Sequence, residues 1–298
     1  MTRTNLRRSC LYIGGGSPAK ILEARFCDAD CVVYDLEDSV AAADKDAARM
    51  LIYRAVRYHR PPGKYVLIRV NGLCSPELQE DLEAAVRARP DAIRLPKVET
   101  VEEVQDIDRR ITAIEETAGI PKGSIELWCN IESALGVANA REIAAASPRI
   151  TALALGAEDY TASMGARRSK SGWEIFYARM RVLEACRLAG ISAQDVVFSD
   201  IDDLEGLQKD VENACGLGFD GKTVIHPRQI EIVNQAFTPT PKEIRQAQRV
   251  LEALERGARE HTGVVVLDGS MVDKPMEKRA RDVLARAEAA GLLDGEEW

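Results

Sequence analysis

Short apolar runs recur along this chain, and each ends on charged or titratable side chains. CVVYDLED closes on Asp35, Glu37 and Asp38, YVLIRVNG on Arg69, and DAIRLPK on Lys97. IELWCNIES closes on Glu132, TALALGAEDY on Glu158 and Asp159, VVFSD on Asp200, and KTVIHP on His226. Within the runs, aliphatic and β-branched residues continue without alternation, as in strands buried on both faces of a parallel sheet. Charged groups at the C-terminal ends of successive strands suit a closed β/α barrel, where all those ends face one mouth.

The pattern predicts eight strands, near 9–14, 31–36, 65–70, 91–95, 125–131, 151–156, 195–199 and 222–226. Helices fall between them: near 18–27, from Ala43, at 76–88, through Val101–Ile114, at 134–146, at 173–189 after a longer insert, and at 203–217. Val101, Val104, Ile107, Ile111 and Ile114 carry the helical period. The alternation predicts an α/β fold, a TIM (β/α)8 barrel, over residues 1–237.

Residues 238–298 read as a C-terminal helix-hairpin-helix extension, a lid over the mouth or an arm between subunits. Thr240 with Pro241 is a helix start, and that helix runs to about Glu260. Asp268-Gly269 marks a hairpin, and a last helix spans Pro275 to Ala290.

Composition narrows the function. A chain of 298 residues fits one barrel of roughly 250 residues plus an appendage. A net charge of −8 with scattered basic residues argues against a nucleic-acid partner. No run approaches the roughly 18 apolar residues of a membrane span, and MTRTNLRRSC lacks the apolar core of a signal peptide. Seven cysteines, an odd number with no CxxC pair, favour a reducing cytoplasm and disfavour structural zinc.

Glu132 and Asp159 end neighbouring strands with no histidine or cysteine beside them, a pairing suited to a hard cation such as Mg²⁺. A helix cap or a salt bridge to Arg69 is the plainer alternative. Asp35, Glu37 and Asp38 are either further ligands or acids that hold lysines and arginines such as Lys97 near the substrate. Arg69 can grip a carboxylate with two parallel bonds, or pair with a strand-two acid. Gly14-Gly15-Gly16-Ser17 opens a helix whose amides can receive a phosphate or carboxylate, although a glycine run is more often only a tight turn. His226 is a candidate base, or a structural histidine.

Ordered blocks across nearly the whole chain resemble the citrate lyase beta-subunit family, within the wider aldolase/citrate-lyase-like barrels. They include VVYDLEDSVAAADKDAAR, VLIRVNG, AIRLPKVET, IESALGVANAREIAAASPRI, ALALGAEDYTASMG, IFYARMRVLEACRLAGI, FSDIDDLEGL, LGFDGKTVIHPRQIEIVNQAFTPT and GSMVDKP. The resemblance implies cleavage of a citryl thioester, on coenzyme A or an acyl carrier protein, to oxaloacetate and an acetyl thioester. It implies Mg²⁺ on Glu132 and Asp159, Arg69 and Glu132 against the substrate, and Asp273 of MVDKP reaching the site from a neighbouring subunit. It further implies alpha and acyl-carrier gamma partners and a homo-oligomer, a trimer or hexamer. YIGGGSPAK departs from the family's FVPGN-like segment, where relatives approach the coenzyme. The alternatives are a stand-alone lyase of malyl-CoA or citramalyl-CoA, a pyruvate-class metal aldolase, and a non-catalytic assembly subunit.

Overall fold

A computed structural model describes residues 6–259 and 265–293. Eight parallel strands close a barrel in sequence order. The first half alternates β1 (Ser9–Gly14), α1 (Pro18–Glu23), β2 (Cys31–Asp35), α2 (Lys45–Tyr58), β3 (Tyr65–Arg69), α3 (Leu78–Ala88), β4 (Ala92–Leu95) and α4 (Val101–Thr117). The second half runs β5 (Glu126–Ile131), α5 (Ala134–Ala138), α6 (Ala140–Ala144), β6 (Ile150–Leu155), α7 (Ala157–Ser163) and α8 (Trp173–Ala189). It ends with β7 (Ser192–Asp195), α9 (Leu204–Leu217), β8 (Gly221–Val224) and α10 (Ile230–Phe237). Pairing of Ser9 with Lys222 and Cys10 with Thr223 joins β1 to β8.

The strands are held by apolar packing that the sequence pattern foretold. Val104, Ile107, Ile111 and Ile114 are the buried stripe of α4, whose start carries a reciprocal cap between Thr100 and Glu103. Inside the barrel, Cys10, Cys31, Val33, Leu67, Ala92, Trp128 and Ala152 form an apolar cluster. Tyr65 stacks on Trp128 at 5.5 Å between centroids, and the Arg7 guanidinium lies 4.5 Å from the Tyr65 ring.

The structure corrects several expectations. The seventh strand is Ser192–Asp195, earlier than the apolar run at 195–199. Its side chains are polar because they meet partners: Asp195 takes two 2.9 Å bonds from Arg179 and one of 2.8 Å from Lys222, which also bonds Asp210 at 2.5 Å. Two cations and two acids thus balance inside the wall. The expected helix at 134–146 divides at Asn139, which ends α5 and begins α6. Glu158 and Asp159 do not end β6; they occupy the first turn of α7.

The chain divides into two compact units, Arg7–Asn234 and a second that takes over at Gln235. In the second, α11 (Pro241–Arg259) opens on Thr240, which exchanges hydrogen bonds with Glu243. The expected end of this helix, Glu260, lies outside the described residues. β9 (Val265–Leu267) and β10 (Ser270–Val272) form the hairpin around Asp268 and Gly269, both at positive φ (52° and 77°). α12 (Lys274–Ala289) follows, and Ala247, Val250, Val272 and Ala280 are the centre of this unit's own core.

Candidate active site

The C-terminal strand ends surround a cavity of about 440 Å³. Asp35 and Arg69 are the last residues of their strands and pair in register, while Arg94 sits beside Arg69 on β4. Arg69 grips Asp35 with its fork, Nε to Oδ1 at 2.6 Å and Nη2 to Oδ2 at 2.8 Å. Burial pushes the Asp35 carboxyl up, but these bonds outweigh it and hold it below its ordinary value. Nη1 of Arg69 also lies 2.7 Å from Oε2 of Glu37, an ion pair without aligned hydrogen-bond geometry.

Burial of Glu37 outweighs the pull of this neighbour. Burial lifts it to about 7, and Asp38 and Glu132 add to the rise against Arg69 and Lys97. Asp38 stays mostly exposed, 3.9 Å from Arg69. Lys97 has φ +53° and bridges the mouth, 3.5 Å from Glu37 and 4.0 Å from Asp159. A non-glycine residue at such a φ is strained by about 1 kcal/mol, and the acids on either side of the ammonium offset that cost.

Glu132 follows β5 and is buried. Its Oε1 accepts a 2.8 Å bond from Asn130, while Oε2 is buried without a partner among the described residues. Burial raises its carboxyl above the ordinary value, and the charge of Asp159 raises it further. Asp159, on α7, has a half-exposed carboxylate facing the same cavity. Gly156 makes room for Glu132: a Cβ there would lie 2.5 Å from Glu132 Cγ and 2.6 Å from its Oε1. An orphaned anionic oxygen, a second carboxylate and a cradle closed to side chains fit a small hard cation. A different acid group, Asp46, Glu77 and Glu80, converges instead on Arg49, which pairs with all three within 2.7 Å.

Glu158 also lines the cavity, where it pairs with Arg168 at 3.1 Å. Other expected site residues stand apart: Asp200 is exposed. His226 caps a short 3-10 turn by accepting the Arg228 N–H at Nδ1. Gly15 is required for packing, since a Cβ would lie 2.5 Å from the Asp35 carbonyl oxygen and 2.7 Å from Ile52. Gly14 sits against Ser39 of the cavity wall, Gly16 is exposed, and Ser17 makes no side-chain cap on α1. Asp273 belongs to the second unit, where it accepts the Met276 N–H at the start of α12.

Sequence reasoning missed Tyr12, Arg94, Asn130 and Thr223, all of which line the cavity. The available signal was a polar residue inside an otherwise apolar strand. The Tyr12 ring lies 4.7 Å from the Arg69 guanidinium and 5.0 Å from that of Arg94.

The sequence profile of the HpcH/HpaI aldolase/citrate lyase family matches residues 8–227. The chain belongs to that family. Within it, the chain is 43% identical over 296 residues to the citrate lyase subunit beta of Leuconostoc mesenteroides subsp. cremoris, covering 99% of this chain and 98% of the relative. Protein CitE of Mycobacterium tuberculosis, solved with magnesium, acetoacetate and coenzyme A, superposes with a TM-score of 0.77 at 31% identity, over 96% of this chain and 99% of that one. A citrate lyase beta subunit from M. tuberculosis, solved with oxaloacetate and magnesium, gives 0.67 at 30% identity, over 80% of this chain and all (100%) of that one. Family membership makes the chain a lyase.

Proposed function

We propose that the chain is the carbon–carbon lyase of a citrate lyase, cleaving a citryl thioester to oxaloacetate and an acetyl thioester, with Mg²⁺ on Glu132 and Asp159. The observation that carries the reading is the buried Oε2 of Glu132, without a partner among the described residues, in a cavity it shares with Asp159 and Arg69. A carboxylate oxygen buried alone is costly until a cation or proton meets it. Magnesium needs few carboxylates and leaves positions for substrate, and when bound it polarises the hydroxy-carboxylate unit and lowers the hydroxyl pKa.

The chain's own groups supply the rest. Arg69, oriented by Asp35, keeps the free part of its fork for a substrate oxygen that gains charge as the bond breaks. The substrate hydroxyl gives up its proton and becomes the keto oxygen of oxaloacetate. The electron pair of the broken bond passes to the thioester α-carbon, and the resulting enolate takes a proton to become the acetyl group. Asp273, delivered by a neighbouring subunit of a homo-oligomer, is the proposed proton carrier. Its support is the MVDKP resemblance, alongside its role as a helix cap. Lys97 offsets the charge of Glu37 and Asp159. The stretch Gly14–Ser17 is proposed to pass the thioester's carrier arm.

The same reading assigns alpha and acyl-carrier partners and a cytoplasmic setting, consistent with the free cysteines. No helix among the described residues is long and apolar enough to cross a membrane. The test is a panel of citryl-CoA, malyl-CoA and citramalyl-CoA with and without Mg²⁺, following release of the keto acid. Preferred, EDTA-sensitive cleavage of citryl-CoA is expected; turnover of malyl-CoA with citryl-CoA untouched would overturn the reading.

A further inference from the structure

Five cationic side chains are buried among the described residues: Arg49, Arg94, Arg149, Arg179 and Lys222. Four of them are paired with acids. Arg49 meets Asp81 at 2.9 Å, Arg149 meets Glu115 at 2.5 Å, and Arg179 and Lys222 share Asp195. Arg94, only 2% exposed, has no carboxylate within ion-pair distance among the described residues. Its bonds go to neutral groups: Asn130 Oδ1 at 2.7 Å, Thr223 Oγ1 at 3.3 Å and Cys10 Sγ at 3.6 Å.

A buried guanidinium without an anion is unfavourable unless the missing charge arrives with a ligand. Arg94 lines the cavity that holds Glu132 and Asp159, so the ligand that reaches it is the substrate. Tyr12 offers its ring face but no charge, since burial holds its phenol above its ordinary value despite both arginines. Cys10 is a rival counter-ion: burial pushes its thiol up, but Cys31 and Arg94 pull it below its ordinary value. It lies in the apolar core cluster, not on the cavity wall.

A citryl thioester carries two free carboxylates. One belongs to the hydroxy-carboxylate unit assigned to the metal; the other ends a CH₂ arm and needs a cation of its own. Arg69 already has Asp35 and Glu37 as counter-ions. We propose, resting on the citryl-thioester reading, that Arg94 holds this second carboxylate and so determines specificity for citryl over thioesters lacking that arm. Asn130 joins the two halves of the site, accepting from Arg94 through Oδ1 and donating to Glu132 through Nδ2.

Citramalyl-CoA is the discriminating probe, because a methyl group stands where citryl-CoA has the carboxylate arm. Their keto-acid products, pyruvate and oxaloacetate, differ in the same way. Arg94→Met is expected to lower kcat/KM for citryl-CoA by on the order of ten- to a hundred-fold, the worth of a charge-assisted bond, while leaving citramalyl-CoA nearly unchanged. Calorimetric titration with Mg²⁺ present should show wild type preferring oxaloacetate to pyruvate, Arg94→Met losing the preference, and Arg94→Lys keeping part of it. The lysine variant also carries the test if the methionine variant fails to fold. Cys10→Ser should leave the preference unchanged; a rise would make the thiolate, not the substrate, the partner of Arg94. Equal losses for both thioesters and both keto acids would reduce Arg94 to a structural bridge and overturn the proposal. Wild-type inactivity on citryl-CoA would instead sink the parent reading, while the oxaloacetate preference and its loss in Arg94→Met would still decide the role of Arg94.

Discussion

Gly156 packs directly against the carboxylate of Glu132, with its backbone N–H bonded to the Ile131 carbonyl at 3.0 Å. Any side chain at 156 must push Glu132 out of its buried position. Gly156→Ala is therefore expected to keep the fold and lose metal affinity by on the order of ten- to a hundred-fold, as when the groups that orient a ligand are disturbed. Magnesium titration by calorimetry beside a melting curve checks this; wild-type affinity would show that Glu132 is not a ligand.

Replacing either carboxylate by its amide removes an anionic oxygen from a site built for a hard ion. Glu132→Gln and Asp159→Asn should each abolish measurable citryl-CoA turnover at saturating Mg²⁺. EDTA-sensitive activity undiminished in both variants would remove these residues from the metal site.

Arg69→Lys preserves charge but not the two-pronged bond to Asp35. A loss of kcat by on the order of 10²-fold or more is expected, comparable to removing a donor that stabilises transition-state charge. A near-wild-type rate would leave Arg69 as the structural partner of Asp35.

Glu37, raised to about 7 from an ordinary 4.5, binds its proton more tightly in the folded chain than in the unfolded one. Its stabilising contribution is fully present below the unfolded value and is lost as pH rises through about 7. In metal-free protein, Glu37→Gln should therefore gain stability relative to wild type between pH 5 and pH 8, because the amide carries no charge to bury. Melting curves that stay parallel across this range would contradict the shift.

Asp273→Asn separates capping from chemistry, since asparagine caps a helix as well as aspartate does. The variant should melt like wild type yet be inactive. Mixed with inactive Glu132→Gln chains under verified subunit exchange, it should recover partial activity. Mixtures that stay dead would confine Asp273 to its own chain or to the cap it makes with Met276.

The barrel was legible because seven of its strands are apolar enough to stand out, and the eighth shows why the rest was not. Ser192–Asp195 is strand because Gln194 donates to the Arg7 carbonyl and Asp195 takes up Arg179 and Lys222, tertiary facts invisible in the local pattern. The apolar run after it drew the expectation downstream, although Val196 is buried and Val197 reaches the cavity. Strand-end reading singled out Asp35, Glu37, Arg69, Lys97 and Glu132, which lie at the strand ends lining the cavity or in ion pairs beside it, since a charge that follows an apolar run has one place to go. It passed over Arg94 and Asn130, which lie within their strands and become conspicuous only once their partners are seen.

The β7–β8 seam pairs only at Gln194–Gly221 and Asp195–Lys222, so little backbone bonding fixes its alignment. The buried charges supply what the ladder lacks. Slipping β8 by one residue would turn Lys222 to the opposite face, leaving Asp195 and Asp210 short of a cation inside the wall. Misalignment here is thus penalised as an electrical fault, whereas an oily seam would tolerate it as a slightly poorer fit. The joint works as a keyed lock on ring closure, and the strand ends that carry the chemistry inherit their alignment from it.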